Sequence, residues 1–374
     1  AHIRERCDPD YVLHLAAHYD FENVELPDYQ HTNLNGTRHV LEEAKKLGVK
    51  HFIFASSVAA CNFPDEGEVI TESTPTDADF PYARSKKAGE RLVREYAHHF
   101  HCSIVRLAAV FSDWGEYPPL YVFLTTWLSK RWNARILGGR GLSAVPYIHT
   151  RDVNRLFLRL LERTGDLPSP SVYLASPDGA TSQRGLYDLA TNFQFRRSIR
   201  PILIPKPLAW LGILARDSWG RLLGRRPFER LWMIEYLDRA LTTDASRTRE
   251  LLGWSPTPRL HVLRRLLFLI EKTKSRPHEW VLRNERAMKR PVTRPSLVIH
   301  DAMVQAREAI LDAIVAYLQS PVRQHRYPDY ATMGYSNLRW YTGVVYDLLS
   351  AAVRTGDRGL LLSYAHNIAK QRFA

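Results

Sequence analysis

The segment "NLNGTRHVLEEAKKLGVKHFIFASS", residues 33–57, places an amphipathic helix directly before an apolar run of strand length. Four apolar residues at helical spacing indicate the helix, namely Leu34, Val40, Leu41 and Ala44. Gly48 follows where a helix C-terminus favours glycine. The run at 51–57 shows no polar alternation, which is typical of a strand buried on both faces. This order predicts one helix–strand unit of an α/β protein.

Two further runs, "YVLHLAA" at 11–17 and "CSIVRLAAVF" at 102–111, have the same apolar character. A second helix, which carries Tyr82, lies between the strands at 51–57 and 102–111. Apolar strands that alternate with amphipathic helices predict an α/β fold with a doubly wound parallel sheet. Ligands of such sheets bind at the carboxyl ends of the strands.

The composition limits the classes of protein to consider. The chain has 374 residues, 45% of them hydrophobic, which is enough for a large core and two domains. Lys and Arg number 52 against 39 Asp and Glu, and this excess favours anionic partners and membrane surfaces. We expect no nucleic acid partner, because no recognised binding motif accompanies the charge. Three scattered cysteines form neither a metal-ligand nor a disulfide pattern, which predicts no metal and a reducing, cytoplasmic compartment.

The patterning divides the chain into three parts. Residues 1–272 form the predicted α/β domain, in which the irregular stretch 114–258 supplies a small substrate-binding region. Residues 273–295 are polar and contain several prolines, which predicts a linker. Residues 296–374 carry helical stripes and form a predicted C-terminal all-α appendage.

The stretch "DFPYARSKKAGERLV", residues 79–93, places Tyr82 and Lys86 one helical turn apart. One interpretation is a surface pair, in which the lysine stem covers the aromatic ring. The other is chemical, because a cation beside a tyrosine favours the phenolate and lowers the pKa of the hydroxyl. Such a tyrosine exchanges protons with a substrate alcohol. Ser57, at a strand end, is expected to bring a second hydroxyl to the same place.

These features occur in an order that resembles the extended short-chain dehydrogenase/reductase superfamily, in its NAD-dependent epimerase/dehydratase group. The resemblance extends from Tyr11 to Pro258 and implies a Rossmann-like fold. The matching motifs, in order, are "VLHLAA", "NLNGTRHVLEEAKKLGVKHFIFASS", "ITESTPTDADFPYARSKKAGERLV", "IVRLAAVF", "VPYIHTRDVNRLFLRLLE" and "DASRTRELLGWSPTP".

The resemblance implies a catalytic set. Tyr82 is the implied general acid and base, Lys86 lowers its pKa and binds the nicotinamide ribose, and Ser57 positions the substrate oxygen. Asn33 matches a helix asparagine that supports a proton relay, although a helix cap is an alternative role for it.

The resemblance also implies the ligands. NAD or NADP is the implied cofactor, and a homodimer is expected. The implied substrate is a small molecule, either a sugar nucleotide or a hydrophobic alcohol. The residues implied to bind the cofactor are Leu15, Ala16, Ala17, Asn33, Tyr82, Lys86, Leu107 and Ala108.

The sequence departs from the family pattern at its beginning. The family opens with a glycine-rich turn whose amides hold the cofactor pyrophosphate. Here the first glycine is Gly36, and "GGRG" at 138–141 follows no clear core strand. We therefore expect an N-terminally truncated Rossmann-like sheet that binds cofactor weakly.

The segment "PLAWLGILARDSWGRLLGRR", residues 207–226, combines apolar and basic residues. Its expected apolar side consists of Trp210, Ile213, Leu214 and Leu222. Its cations are Arg216, Arg221, Arg225 and Arg226. Two interpretations remain open, a helix in a membrane interface and a helix packed over the substrate cleft. A similar apolar segment occurs in members of the resembled family that act on sterols or other lipid-borne alcohols, so the resemblance implies a hydrophobic substrate. The first interpretation also allows a membrane-peripheral location.

The main hypothesis is an NAD(P)-dependent oxidoreductase that acts on a secondary alcohol, or an epimerase that runs the same chemistry in both directions on one sugar. The alternative is a non-catalytic NAD(P)-sensing or scaffold protein that signals through the C-terminal helices. The set of Ser57, Tyr82 and Lys86 favours the enzyme, because a binding module needs no proton-transfer tyrosine.

Overall fold

The computed structural model describes residues 9–224 and 226–288 of the chain. The strands within these ranges, in chain order, are β1 (Tyr11–His14), β2 (His51–Ser57), β3 (His101–Leu107), β4 (Ala109–Phe111), β5 (Ile136–Gly138), β6 (Ala144–Val145), β7 (Tyr147–His149), β8 (Ser171–Ala175), β9 (Thr181–Ser182) and β10 (Ile202–Ile204).

The helices alternate with these strands along most of the chain. The α-helices of the described residues are α1 (Thr37–Leu47), α2 (Pro81–Glu95), α3 (Pro118–Trp127), α4 (Thr150–Glu162), α5 (Gln183–Phe195), α6 (Lys206–Leu222), α7 (Ser246–Leu252), α8 (Val262–Ser275) and α9 (Pro277–Ala287). A π-helix, Tyr29–Gly36, runs directly into α1. Short 3-10 helices lie at Val58–Ala60, Trp132–Arg135, Leu231–Tyr236 and Pro258–Leu260.

The central sheet has four parallel strands in the order β1, β2, β3 and β8. In its register Leu13 lies opposite Ile53, and Phe54 lies opposite Ile104. β8 continues the sheet beyond β3 with the same direction. Because all strands run in parallel, their carboxyl ends share one edge of the sheet.

Helices cover both faces of this sheet. On one face Phe52 and Phe54 of β2 pack with Leu41 of α1 and Leu92 of α2. On the other face Ile53 packs in a separate cluster that contains several apolar side chains of α4. Successive residues of β2 therefore point into two different cores, which explains why the strand contains no polar alternation. The predicted doubly wound α/β fold is confirmed.

Gly89 allows α2 to lie close against β2. A Cβ atom on Gly89 would stand 2.5 Å from Cζ of Phe54. This separation is far below van der Waals contact, so a larger residue would push α2 away from the sheet. The glycine thus fixes the distance between the sheet and the helix that carries Tyr82 and Lys86.

The compact unit that contains the sheet comprises residues 1–270, and a second unit begins at Glu271. The predicted linker 273–295 overlaps α9, so that part of it is helical. The helical domain predicted over 296–374 lies outside the described residues, and these domain boundaries stay predictions. Among the described residues, no helix combines the length and the apolarity that crossing a bilayer requires.

Candidate active site

A cavity of about 1150 Å³ opens at the carboxyl ends of β1, β2 and β3. Its floor is formed by the ends of these strands, and its other walls come from α3, α6 and the segments around them. Most of the wall is apolar and much of it is aromatic. The aromatic contributors include Phe21, Phe63, Phe80, Tyr117, Trp127 and Trp232.

Tyr82 lies in the first turn of α2 and faces this cavity. Phe80 precedes the helix with an extended backbone, and Pro81 occupies the first helical position, where its fixed φ favours helix initiation. Tyr82 is half-buried, and its ring lies against Tyr19, with ring centroids 6.5 Å apart. The start of α2 therefore places the phenol in the wall of the cavity.

The pKa of Tyr82 differs from the sequence-based expectation. Burial raises this pKa to about 12, and a hydrogen bond with Ser57 only partly opposes the rise. Lys86 Nζ lies 5.7 Å from the centroid of the Tyr82 ring, so the cation faces the ring. The expected lowering of the Tyr82 pKa by Lys86 is therefore not found.

Ser57 is the last residue of β2 and lines the cavity beside Tyr82. Its Oγ accepts a hydrogen bond from the backbone N–H of Ala59 at 3.2 Å and so caps the short helix that follows. The same side chain is hydrogen-bonded to Tyr82. Ser57 thus caps the short helix and also brings its hydroxyl beside Tyr82. Its role in positioning a substrate oxygen stays a prediction.

Lys86 is almost fully buried, with 4% of its surface exposed. Its Nζ donates a hydrogen bond to the carbonyl oxygen of Ala55 at 2.7 Å and lies 5.2 Å from the centroid of the Phe54 ring. Burial lowers the pKa of Lys86 to about 8, against the opposite effect of the Glu90 charge. Since an ammonium group has three hydrogens, others remain for a ligand in the cavity.

Asn33 is buried in the π-helix and does not line the cavity. Its Oδ1 accepts from the N–H of His18 at 2.6 Å, and its Nδ2 donates to the carbonyl of His18 and to Ser85 Oγ, each at 2.9 Å. Ser85 Oγ in turn donates to the carbonyl of Tyr82 at 2.7 Å. Asn33 therefore joins the loop after β1 to the first turn of α2. Its role in a proton relay stays a prediction.

Most of the other residues predicted to bind a cofactor lie at the cavity. Leu15 and Ala17 line it after the end of β1, and Leu107 and Ala108 line it at the end of β3. Ala16 points elsewhere and is not part of the wall. Small side chains at two of these positions leave room between the strand ends.

The glycine segment at 138–141 is not a free anion-binding turn. The backbone N–H groups of Arg140 and Leu142 donate to the carboxylate of Asp238, at 2.8 and 3.1 Å. These amides are therefore occupied within the protein. Among the described residues, no cluster of His, Cys, Asp and Glu is arranged to hold a metal ion.

The sequence reasoning missed three tyrosines that line the cavity near Tyr82, namely Tyr19, Tyr117 and Tyr147. Burial raises the pKa of each of them, so all three are neutral hydroxyls. Tyr19 follows the carboxyl end of β1, a position that parallel sheets use for ligands. The position of Tyr19 after a predicted strand could therefore have been recognised in the sequence. Tertiary packing brings Tyr117 and Tyr147 to the cavity, and no local pattern predicts it.

Helix α6 forms part of the cavity wall. The residues of α6 that line the cavity are Ala209, Gly212, Ile213, Ala215 and Arg216. The guanidinium of Arg216 lies 3.4 Å from the carboxylate of Glu229. The expected common apolar side was wrong in detail, because Ile213 faces the cavity whereas 78% of Leu222 is exposed. Arg225 lies outside the described residues.

Comparison with known proteins matches the N-terminal half to a family model. Residues 2–175 match the model of the NAD dependent epimerase/dehydratase family, so the predicted resemblance is confirmed. A dTDP-glucose 4,6-dehydratase of Mycobacterium tuberculosis is 28% identical over 161 residues, which are 42% of this chain and 48% of that protein. A UDP-glucuronate 4-epimerase of Thermodesulfobacterium geofontis is 32% identical over 162 residues, 41% and 48% of the two chains. The chain thus spans about half the length of the curated relatives it matches.

Solved structures share the fold. The dTDP-glucose 4,6-dehydratase of Bacillus anthracis in complex with NAD superposes with a TM-score of 0.55 and 17% identity, over 74% of this chain and 76% of that chain. RMD of Pseudomonas aeruginosa complexed with NADPH superposes with a TM-score of 0.53 and 18% identity, over 72% and 82%. At this level of identity the likeness establishes the fold.

Proposed function

Because residues 2–175 match the NAD dependent epimerase/dehydratase family, we propose that the cavity is an oxidoreductase active site for a secondary alcohol. One observation carries this proposal. Ser57, Tyr82 and Lys86 arrive from a strand end and a helix start, and they meet in the wall of one cavity at the carboxyl edge of the sheet.

A nicotinamide cofactor, NAD or NADP, would supply the hydride acceptor at this edge. The buried ammonium of Lys86 fits the hydroxyls of a cofactor ribose, because its donors are satisfied only in part by Ala55. Ala17 and Ala108 leave space for a planar ring between the strand ends. The described residues contain no glycine turn for the pyrophosphate, so the fit concerns the nicotinamide and its ribose.

The protein itself would handle the proton of the substrate hydroxyl. Ser57 Oγ can donate to the substrate oxygen or accept from it, and thus holds that oxygen beside the phenol of Tyr82. Tyr82 takes up the hydroxyl proton when the alcohol is oxidised, and it returns a proton when a carbonyl is reduced. Its pKa of about 12 makes the neutral phenol the resting form, which suits the reductive direction. Oxidation requires a positive charge near the phenol to lower that pKa.

The cavity wall supports a hydrophobic alcohol as substrate. Beyond the strand ends, the wall is built from apolar and aromatic side chains such as Phe63, Phe123, Trp127 and Leu237. A sugar nucleotide is the second candidate, because the relatives named above act on dTDP-glucose and UDP-glucuronate. The dehydrogenase, epimerase and dehydratase reactions are three forms of this chemistry, and the homodimer and the cytoplasmic location stay predictions.

Tyr82→Phe tests the proposal directly. Calorimetric titration should give the same Kd for NAD or NADP in wild type and variant, since the phenol oxygen is not needed to hold the nucleotide. Turnover of a panel of apolar secondary alcohols and sugar nucleotides, followed by nicotinamide absorbance, should fall by at least about 10²-fold. Tyr11→Phe is the matched control, because Tyr11 is an exposed tyrosine at the opposite end of β1.

Retained turnover in Tyr82→Phe would remove Tyr82 from the chemistry. Nucleotide binding without turnover of any substrate by the wild type would favour the alternative, a non-catalytic NAD(P)-sensing protein. Absence of nucleotide binding in the wild type would contradict both hypotheses for this chain.

A further inference from the structure

Helix α6 presents a second face, of which only Ala215 borders the cavity. Five residues at spacings of three and four lie on this face and form what we call the α6 stripe, which consists of Leu208, Leu211, Ala215, Trp219 and Leu222. They run along one side of the helix over about 21 Å, since each residue adds about 1.5 Å. All five are exposed to solvent. The helix is therefore apolar towards the cavity and also towards the outside.

The exposure of the α6 stripe is large. Leu208 and Leu211 are 58% and 55% exposed, and Trp219 and Leu222 are 66% and 78% exposed. Ile202 and Leu203, on the strand that precedes the helix, are also exposed. Single exposed apolar residues need no explanation, but a contiguous exposed apolar surface marks a site of interaction.

The charge around the α6 stripe is positive. Between Arg200 and Arg226 the sequence contains six basic residues and one acidic residue, Asp217. One of the six, Arg216, lines the cavity and pairs with Glu229. Asp217 is buried and is bound by the guanidinium groups of Arg221 and Arg226, so its charge is compensated within the protein. Lys206 and Arg200 are exposed near the start of the helix. The surface thus combines apolar side chains with an excess of cations.

We propose that the α6 stripe binds the surface of a lipid bilayer that contains anionic lipids, with α6 lying in the plane of the interface. Apolar residues on one side, adjacent cations and an exposed tryptophan are the features of helices that insert into the headgroup boundary. A tryptophan at such a boundary places its ring among the acyl chains and its N–H towards water.

A second copy of this chain fits the surface less well than an anionic bilayer does. A dimer formed through the α6 stripe would bring two sets of six basic residues together, each with one compensated acid. Like charges at an interface oppose association, whereas anionic headgroups neutralise them. This inference does not depend on the proposed enzymatic function, because it concerns the face of α6 that points away from the cavity.

Flotation of the full chain with lipid vesicles tests the inference. We expect binding to vesicles of equal parts phosphatidylcholine and phosphatidylglycerol, weaker binding to phosphatidylcholine alone, and loss of the difference at high salt. The double variant Trp219→Ser, Leu222→Ser should bind the mixed vesicles at least about tenfold more weakly. Leu158→Ser is the matched control. Leu158 is a leucine of α4 with 56% exposure, and its substitution should leave vesicle binding unchanged.

A charge variant separates the two contributions. Lys206→Glu with Arg200→Glu should weaken binding to the mixed vesicles and leave binding to phosphatidylcholine unchanged. All these positions are exposed, so thermal unfolding should be the same in every variant.

Three outcomes would overturn the inference. The first is absence of wild-type binding to both kinds of vesicle, and the second is equal binding by wild type and the Trp219 and Leu222 variant. The third is a wild-type dimer, measured by light scattering, that this variant converts to a monomer while vesicle binding is unaffected. That result would make the α6 stripe an interface between copies of the chain.

Discussion

Lys86 lies in the candidate site, and burial of its charge destabilises the folded protein. Its ammonium is buried, and its hydrogen-bond acceptor among the described residues is the backbone carbonyl of Ala55. The fall of its pKa from 10.5 to about 8 means that the charged form is less stable in the folded protein than in the unfolded chain. A ligand with hydroxyl groups would supply the missing acceptors. The cost is therefore concentrated at the point where a ligand is expected.

Lys86→Met should raise the free energy of unfolding at pH 7. The pKa shift corresponds to a penalty on the order of 3 kcal/mol for keeping the lysine charged in the folded protein. The variant removes this penalty but also loses the hydrogen bond to Ala55, which reduces the gain in stability by about 1 kcal/mol. Below pH 8 the lysine is charged in both states, and the full penalty is present. Between pH 8 and 10.5 the folded protein releases the proton before the unfolded chain does, so wild-type stability rises with pH.

Urea unfolding from pH 7 to 10.5 measures this difference. The gap between Lys86→Met and wild type should narrow as the pH rises through 8. Lys87→Met, on the exposed side of the same helix, should change stability little at any pH. A gap that stays constant over this range would show that the pKa of Lys86 is not lowered in the folded protein.

Helix α2 is fixed to the sheet by a buried ion pair one turn beyond Lys86. Arg106 of β3 donates from Nε and Nη2 to the two carboxylate oxygens of Glu90, at 2.9 and 3.0 Å. Ser56 Oγ donates to the same carboxylate at 2.7 Å, and Arg106 Nη1 donates to the carbonyl of Thr74 at 2.6 Å. Burial alone would raise the pKa of Glu90, but the bonds and charge from Arg106 outweigh burial and lower that pKa.

Arg106→Leu should destabilise the protein by about 3 kcal/mol, because the buried Glu90 carboxylate then keeps only the half-exposed Arg94 as a cation. The double variant Glu90→Leu, Arg106→Leu should recover much of that loss, since both buried charges are then absent. Arg91→Leu is the control for an exposed pair with Glu95 and should cost less than about 1 kcal/mol. Denaturant unfolding of the four proteins gives the comparison. A double variant no more stable than Arg106→Leu would mean that the pair contributes packing rather than charge compensation.

The elements that the sequence predicts well are those whose pattern is local. The buried run at 51–57 and the stripe before Gly48 appear in the structure as β2 and α1. Ser57 and Tyr82 could be located because each occupies a defined point, the end of a strand and the first turn of a helix. Their proximity then follows from the parallel sheet.

The features that the sequence does not predict depend on tertiary contacts. The stretch around Asn33 forms a π-helix, in which its side chain is bound to His18 and Ser85. The pKa of Tyr82 rises because of burial, a property that no local pattern contains. Likewise, the sequence of α6 allows both a membrane helix and a cleft helix, and the structure shows that one face lines the cavity while the other is exposed.

At the scale of the whole unit, two buried histidines make the sheet sensitive to acid at both of its ends. His14 of β1 lies near the site and bonds Thr37 Oγ1 at 3.0 Å, and burial, followed by the charge of Lys86, lowers its pKa to about 4. His51 begins β2 at the opposite end and bonds Ser103 and Thr164, each at 2.9 Å. Burial, followed by the charge of His101, lowers the pKa of His51 to about 3. Both side chains are therefore neutral in the folded protein at pH values where an unfolded chain would protonate them.

Stability should consequently fall as the pH decreases from 6.5 to 4. In this window the unfolded chain binds a proton at each histidine and the folded protein does not, so the loss reaches on the order of 3 kcal/mol per histidine by pH 4. His51→Gln keeps a hydrogen-bonding side chain without titration, so its urea-unfolding free energy should depend less steeply on pH than that of the wild type. His39→Gln, at an exposed histidine, should leave the slope unchanged. Equal slopes for His51→Gln and wild type would show that His51 protonates in the folded protein and that the sheet tolerates its charge.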